Sequence, residues 1–243
     1  MQALSAASML DITDRAQGRH PVERALVLLA AGFPEAADQI ADWTLGERDV
    51  GLLALRESLF GPSLVGVSEC PRCGQRVELS VPTSRLLPRK DPRPRELSPL
   101  ETGPFRIRCR LPTSRDLAAV AACPSLARGR EILLSRCILE VRRDGARVLW
   151  SDLSDEALAR VSDALEEADP ATEVLFRLQC VSCGHVWDLL FDVAAFFWAE
   201  IAARAERLLD EVALLSRAFG WSEEAILALA PERRRRYLER ARS

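Results

Sequence analysis

The sequence has little material for acid–base catalysis. Only two histidines, His20 and His185, and one tyrosine, Tyr237, occur among its 243 residues, and histidine is the side chain that enzymes use most often to move protons near neutral pH. Neither the glycine-rich phosphate loop nor the glycine signature of dinucleotide-binding proteins is present. These absences argue against an enzyme, and against a small-molecule substrate.

Long apolar runs are also missing. No stretch approaches the roughly 20 consecutive apolar residues that span a bilayer. Asp11 and Asp14 interrupt the N-terminus where the apolar part of a signal peptide would lie. We therefore expect a cytoplasmic protein without a membrane partner. The formal net charge of −3 gives no general attraction to nucleic acid or anionic lipid, so partners must be inferred from local features.

Four of the seven cysteines form two C-x-x-C pairs. Cys70 and Cys73 lie in CPRCG, Cys180 and Cys183 lie in CVSCG, and each pair stands between two extended segments. Zn²⁺ prefers four such ligands in a tetrahedron, and the glycine after each pair can adopt the backbone angles of a tight knuckle. In a reducing compartment, paired cysteines are more often metal ligands than disulfides. The pattern predicts one Zn²⁺ ion bound by Cys70, Cys73, Cys180 and Cys183 in a zinc ribbon.

The two cysteine pairs are farther apart in the sequence than in a usual zinc ribbon. The 106 residues from 74 to 179 would have to be an insertion into the ribbon, which is tolerable because the entropy of loop closure grows slowly with length. The alternative, small buried apolar cysteines, suits Cys109, Cys123 and Cys137 better. A redox role is disfavoured because neither pair precedes a helix in a βαβ unit.

A four-thiolate site would be structural and not catalytic. Catalytic zinc normally keeps one position open for water, and four cysteines close it. His185, one residue beyond the second knuckle, is an alternative ligand or a hydrogen-bond donor to a thiolate, but the favoured interpretation is a strand residue that flanks the knuckle.

Hydrophobic patterns predict an α+β protein in three regions. Residues 1–62 form an N-terminal helical region, 63–191 form the zinc-ribbon domain with an inserted α/β segment, and 192–243 form a C-terminal helical region. A proline-rich stretch at 82–104 is expected to be an exposed loop, and residues 1–20 a frayed arm.

Individual elements follow from caps, breakers and periodicity. The first predicted helices run from Pro21 to Ala31, from Pro34 to Trp43 and from Glu47 to Phe60. A short helix from Ser114 to Ala122 is followed by another that ends near Cys137. The last ones run from Ser154 to about Ala168, from Asp192 to Phe219, from Ser222 to Leu229, and from Pro231 onwards. Alternation of apolar and basic residues predicts a strand at Phe105–Leu111, with its arginines on the wet face, and Asp144-Gly145 predicts a hairpin turn.

The C-terminal region offers candidate partner-binding residues. Successive aromatic residues cover more than one helix face, and a run of arginines opens the last helix. The candidates are Phe197, Trp198, Trp221, Arg233, Arg234 and Tyr237. Because Glu232 and Glu239 dilute the arginine run, a solvated face or a protein contact is favoured over nucleic acid. A zinc-ribbon regulator that binds nucleic acid remains the alternative.

Several phrases resemble one family. Besides the two CxxCG knuckles they are RLPTSRDL at Arg110–Leu117, Phe191-Asp192 before the long helix, and FGWSEEAIL at Phe219–Leu227. Together they resemble the T-even-type phage baseplate protein family, over roughly residues 60 to 240 but not over the N-terminal helices or the proline-rich loop. The resemblance implies a non-enzymatic protein of baseplate or hub assembly, in a contractile tail or contractile injection system. It would be built into the particle or act as an assembly chaperone, with other baseplate, hub or spike proteins as partners.

Overall fold

The computed structural model describes residues 1–2, 4–86, 95–170 and 174–242. Backbone contacts divide the chain into two compact units, one comprising Met1–Ala37 and Ala194–Ser243 and the other Asp38–Val193. The chain ends thus belong to the same unit. The division of the sequence at residues 62 and 191 stays a prediction.

The first unit begins with a helix that the sequence analysis missed. Helix α1 spans Ala6–Ala16, and the Ser5 hydroxyl at its start accepts a hydrogen bond from the Ser8 backbone N–H at 3.1 Å. The buried residues of the helix are Leu10, Ile12 and Ala16. The frayed arm predicted for residues 1–20 is therefore wrong, because this cap and one buried face stabilise a segment too short to be helical alone.

The other α-helices described in the first unit agree with those predicted from the sequence. They are α2 (Pro21–Gly32), α7 (Val193–Phe219, from Ala194 on in this unit), α8 (Glu223–Leu227) and α9 (Pro231–Arg242). Leu10 of α1 packs against Ala205 and Leu208 of α7. A second apolar cluster joins α7, α8 and α9 through Val212, Leu215, Ile226 and Leu238.

The helix predicted from Pro34 to Trp43 does not form. Two single turns of 3₁₀ helix, Pro34–Ala36 and Ile40–Asp42, take its place. Trp43 is extended, and the next residue, Thr44, caps α3 (Leu45–Phe60) with a reciprocal pair of hydrogen bonds to Glu47. The chain has to leave the helical conformation before this cap, so a continuous helix up to Trp43 is excluded.

A four-stranded antiparallel sheet forms the centre of the second unit. Its strands, in spatial order, are β3 (Leu100–Thr102), β4 (Phe105–Cys109), β5 (Ile138–Arg143) and β6 (Ala146–Val148). The hairpin predicted at Asp144-Gly145 is confirmed, with φ of 50° and 85° at the two turn residues. The associated helices are α4 (Ser114–Val120), α5 (Leu126–Cys137) and α6 (Asp155–Ala168).

Alternate residues of β4 face the hydrophobic core of the second unit. Phe105, Ile107 and Cys109 are buried together with Leu134 of α5 and Val161 of α6, while Arg106 and Arg108 are exposed. This confirms the strand predicted from alternation over Phe105–Cys109, whereas Arg110 and Leu111 lie beyond its end.

The proline-rich stretch at 82–104 is more ordered than predicted. Its described part holds a 3₁₀ turn at Thr83–Arg85, a bridge between Glu96 and Arg110, and strand β3. At β3 the structure departs from the predicted loop, because Leu97 and Leu100 pack against the core of the sheet. Most of the other described residues of the stretch are exposed, as expected. Residues 87–94 lie outside the described residues.

Two further hairpins stand apart from the central sheet. Within the described ranges, strand β1 (Ser63–Glu69) pairs only with β2 (Arg76–Pro82), and β7 (Val174–Gln179) pairs only with β8 (Val186–Phe191), both antiparallel. Each hairpin carries one of the C-x-x-C pairs at its turn. The described residues thus confirm an α+β protein.

Replacing Gly46 with alanine is expected to destabilise the second unit by about 3 kcal/mol. The Gly46 backbone N–H donates to Asp169 Oδ2 at 2.9 Å, and a Cβ at this position would lie 1.9 Å from Asp169 Oδ1. Asp169 is buried, so the clash would displace a carboxylate from a charged hydrogen bond.

Gly129→Ala is the matched control for this change. A Cβ at Gly129 would meet no atom closer than 3.9 Å, so alanine is expected to be neutral or slightly stabilising within α5. Urea unfolding of both variants gives the comparison. Equal stability of Gly46→Ala and the parent protein would contradict the role assigned to Asp169.

Candidate metal centre

The first knuckle is built by the turn between β1 and β2. The Cys70 backbone N–H donates to the Gln75 carbonyl at 2.9 Å, and the Gly74 N–H donates to the Cys70 carbonyl at 2.9 Å. Gly74 has φ of 72°, a left-handed conformation that favours glycine. These bonds turn the side chains of Cys70 and Cys73 to the same side of the loop.

The second knuckle repeats this geometry between β7 and β8. The Cys180 N–H donates to the His185 carbonyl at 2.8 Å, the Gly184 N–H donates to the Cys180 carbonyl at 2.9 Å, and Gly184 has φ of 69°. Cys70 therefore corresponds to Cys180, and Cys73 corresponds to Cys183.

The structure brings the four thiols together. Cys70 Sγ lies 3.7 Å from Cys183 Sγ, Cys73 Sγ lies 3.6 Å from Cys180 Sγ, and all four sulfurs lie within 4.8 Å of one another. Disulfide sulfurs are about 2.05 Å apart, so these are free thiols. Four sulfurs around a zinc ion at about 2.3 Å would be about 3.8 Å apart. The donor set and its spacing therefore fit a tetrahedral metal ion.

Hydrogen bonds within the second knuckle favour ionisation of one thiol. The backbone N–H of Cys183, followed by that of Ser182, lowers the pKa of Cys180 to about 7, although burial opposes the shift.

The neighbouring thiols have the opposite effect on Cys73. The Gln75 backbone N–H lowers the pKa of Cys73, but the thiols of Cys183, Cys180 and Cys70, together with burial, outweigh it and raise this pKa to about 12. Thiolates this close repel each other, so the cluster needs a cation before all four can ionise.

His185 does not join the cluster. Of the histidine, cysteine and acidic side chains that the structure describes, only the four cysteines group there. The imidazole of His185 stacks on Trp187 with ring centroids 6.1 Å apart. The three other cysteines lie outside the cluster, and burial raises the pKa of Cys109 and of Cys137.

A model of the family described as T4 bacteriophage base plate protein matches residues 27–198, which are 172 of the 243 residues. The chain belongs to this family. The resemblance inferred from the sequence is confirmed, although the match begins within α2 and ends before Phe219–Leu227, one of the phrases that suggested it. Comparisons with curated proteins and with solved structures gave no match.

Both knuckles of this base plate family member lie within the matched residues. So does the phrase RLPTSRDL. Among the described residues, no helix is both long and apolar enough to cross a membrane.

Two of the candidate partner-binding residues have little surface to offer. Phe197 is 1% exposed and Arg234 is 3% exposed. Arg234 Nε donates to Glu211 Oε2 at 2.7 Å, and Glu211 also accepts from Arg204 at 2.9 Å. These two residues therefore have little exposed surface, and their role in partner binding stays a prediction.

The other four candidates keep some exposed surface. Arg233 is exposed, whereas Trp198, Trp221 and Tyr237 are half-buried. The guanidinium of Arg24 lies 5.0 Å above the Trp198 ring. The Trp221 and Tyr237 rings pack edge to face, with centroids 4.7 Å apart. Their role in partner binding stays a prediction.

The phrase RLPTSRDL holds a buried ion cluster that was not predicted from the sequence. The Asp116 carboxylate is completely buried and accepts two hydrogen bonds from Arg110, at 2.7 and 3.0 Å, and one from Arg136 Nε at 2.8 Å. The prediction that Arg110 lies on the solvent-exposed face of a strand is wrong, because Arg110 lies beyond the end of β4 and its guanidinium pairs with this carboxylate. The signal available in the sequence was the cap formed by Thr113 and Asp116.

Proposed function

We propose that the chain is a non-enzymatic structural or assembly protein of the baseplate, in a contractile phage tail or a contractile injection system. In this proposal one structural zinc ion, bound by Cys70, Cys73, Cys180 and Cys183, joins two hairpins that are far apart in the sequence. The observation that carries the proposal is a closed set of four thiols in a member of a base plate family.

The hairpins support the interpretation as a zinc ribbon with a large insertion. Two equivalent knuckles, each at the turn of a two-stranded sheet, contribute two thiols to one centre. Such C-x-x-C knuckles are typical of structural zinc sites, and zinc supplies folding free energy there without taking part in a reaction. The central sheet, with α4, α5 and α6, is then the insertion.

A closed site leaves the protein surface to perform the function. Four thiolate ligands leave no position for a water molecule or a substrate. The partners we propose are other baseplate, hub or spike proteins, and the protein either remains in the particle or acts as an assembly chaperone.

Copurification from cells that assemble the particle tests this function. Tagged chain is expected to retain at least one baseplate, hub or spike protein through washes at moderate salt. Arg233→Gln is a suitable companion variant because Arg233 is an exposed candidate contact; weaker retention would place the partner on α9.

Two outcomes would contradict the proposal. One is retention of no component of the tail. The other is recovery of nucleic acid that elutes steeply as ionic strength rises, which would favour the alternative of a zinc-ribbon regulator.

A further inference from the structure

A basic cavity lies beside the buried ion cluster in the second unit. Its volume is about 260 Å³. Six charged side chains line it: Asp42, Arg95, Arg110, Arg115, Asp116 and Arg136. Arg110 and Arg115 belong to one segment, whereas Arg95 and Arg136 come from other parts of the chain, so the fold brings these charges together.

The charges around the cavity do not cancel. Arg115 is paired with Asp42 through hydrogen bonds of 2.6 and 3.2 Å, and Arg110 is paired with Asp116. Outside the lining, Glu47 lies 3.5 Å from Arg95. Four arginines against these three carboxylates leave one positive charge.

Arg136 has hydrogen-bond donors that are not used within the described part of the chain. It uses Nε on Asp116, while its two terminal amino groups make no hydrogen bond to the residues that the structure describes. The side chain is 41% exposed, so these donors are open to a ligand. Arg95, 58% exposed, lines the same cavity.

We infer that this cavity binds a carboxylate of an acidic side chain on a partner protein, with Arg136 and Arg95 as the donors. A planar guanidinium matches a carboxylate with two parallel hydrogen bonds, and arginine is enriched among the residues that dominate protein interfaces. A single surplus positive charge matches a monoanion. A nucleic acid would bring many phosphates to a chain whose formal net charge is −3.

That the partner is a baseplate component rests on the proposed function, whereas the chemistry of the cavity does not. The test uses the full chain and a fluorescent peptide of glycine and serine with interspersed glutamates. A second peptide carries glutamine in place of glutamate, and a single-stranded oligonucleotide and inorganic phosphate serve as competitors.

The glutamate peptide is expected to bind, and the glutamine peptide is not. Arg136→Gln and Arg95→Gln should each weaken binding by about tenfold, the loss expected for one hydrogen bond to a charged group. Arg147→Gln is the matched control, because Arg147 is exposed on β6 and does not line the cavity. Since Arg136 also contacts Asp116, circular dichroism checks the folding of its variant, and Arg95→Gln gives an independent reading.

Three results would overturn the inference: no binding of the glutamate peptide, equal weakening by Arg147→Gln, or tighter binding of phosphate or oligonucleotide than of the peptide. If the peptide test fails while tail proteins still copurify, only the inference about the cavity is rejected. Peptide binding without any copurifying tail protein rejects the proposed function alone.

Discussion

Replacing Cys70 or Cys180 with serine is expected to abolish stoichiometric zinc binding and to lower the melting temperature of the Asp38–Val193 unit by roughly 10 °C. Both residues are buried first cysteines of their knuckles. A ligand present at a thousand times its dissociation constant stabilises the folded state by about 4 kcal/mol, and each kcal/mol corresponds to about 2–4 °C in a domain of this size. The serine variants lose that stabilisation because a hydroxyl is a poor substitute for a thiolate.

Elemental analysis and thermal unfolding measure the two effects on the same samples. The parent protein should contain one zinc per chain, and a chelator should lower its melting temperature to that of the variants. Cys123→Ser is the matched control, since Cys123 is half-buried and lies outside the cluster; it should retain zinc. Iron in place of zinc, absence of metal from the parent protein, or normal melting of both variants would contradict the proposed centre.

The cluster of four cysteines was predictable because its determinants are local. Each knuckle needs two cysteines, a glycine with positive φ and two flanking strands, and all of these occur within a few residues of one another. The two motifs have the same form, so they could be paired across 106 intervening residues without knowledge of the insertion. The long helix and the hairpin at Asp144-Gly145 were predictable for the same reason.

Features that depend on distant partners could not be read in this way. Helix α1 is stabilised by packing of Leu10 against Ala205 and Leu208, which no local pattern reveals. Arg234 belongs to a run of four arginines that suggests a solvated face, yet it is buried because Glu211 on α7 pairs with it. No local sequence pattern gives the position of this arginine relative to a glutamate 23 residues earlier, because the packing of two helices sets it.

A large effect outside the cysteine cluster, comparable with that of Gly46→Ala, is expected from Asp116→Asn, which should cost about 2–4 kcal/mol at neutral pH. Burial tends to raise the pKa of Asp116, but hydrogen bonds from Arg110, the Thr113 backbone N–H and Arg136 outweigh burial and hold this pKa well below its ordinary range. Asparagine can retain one acceptor for the cap of α4, but it removes the charge that both arginines face.

The pH dependence of this effect has a defined sign. A carboxylate whose pKa is lower in the folded state contributes its full stabilisation above its unfolded pKa of about 3.9. This contribution is lost as the pH falls from there through the folded pKa. The difference in unfolding free energy between the parent protein and Asp116→Asn should therefore be constant above about pH 5 and shrink in acid. Urea unfolding at a series of pH values measures it.

Asp42→Asn is the control variant that distinguishes the effect of burial on stability from the effect of ion pairing. Asp42 also has a lowered pKa, mainly because of its hydrogen bonds with Arg115, but this ion pair is half-exposed, and water solvates either partner when the other is removed. The Asp42 variant should therefore stay close to the parent protein at every pH. If both variants lost the same stability, burial of Asp116 would not be the cause, and the ion cluster would be no more than a surface contact.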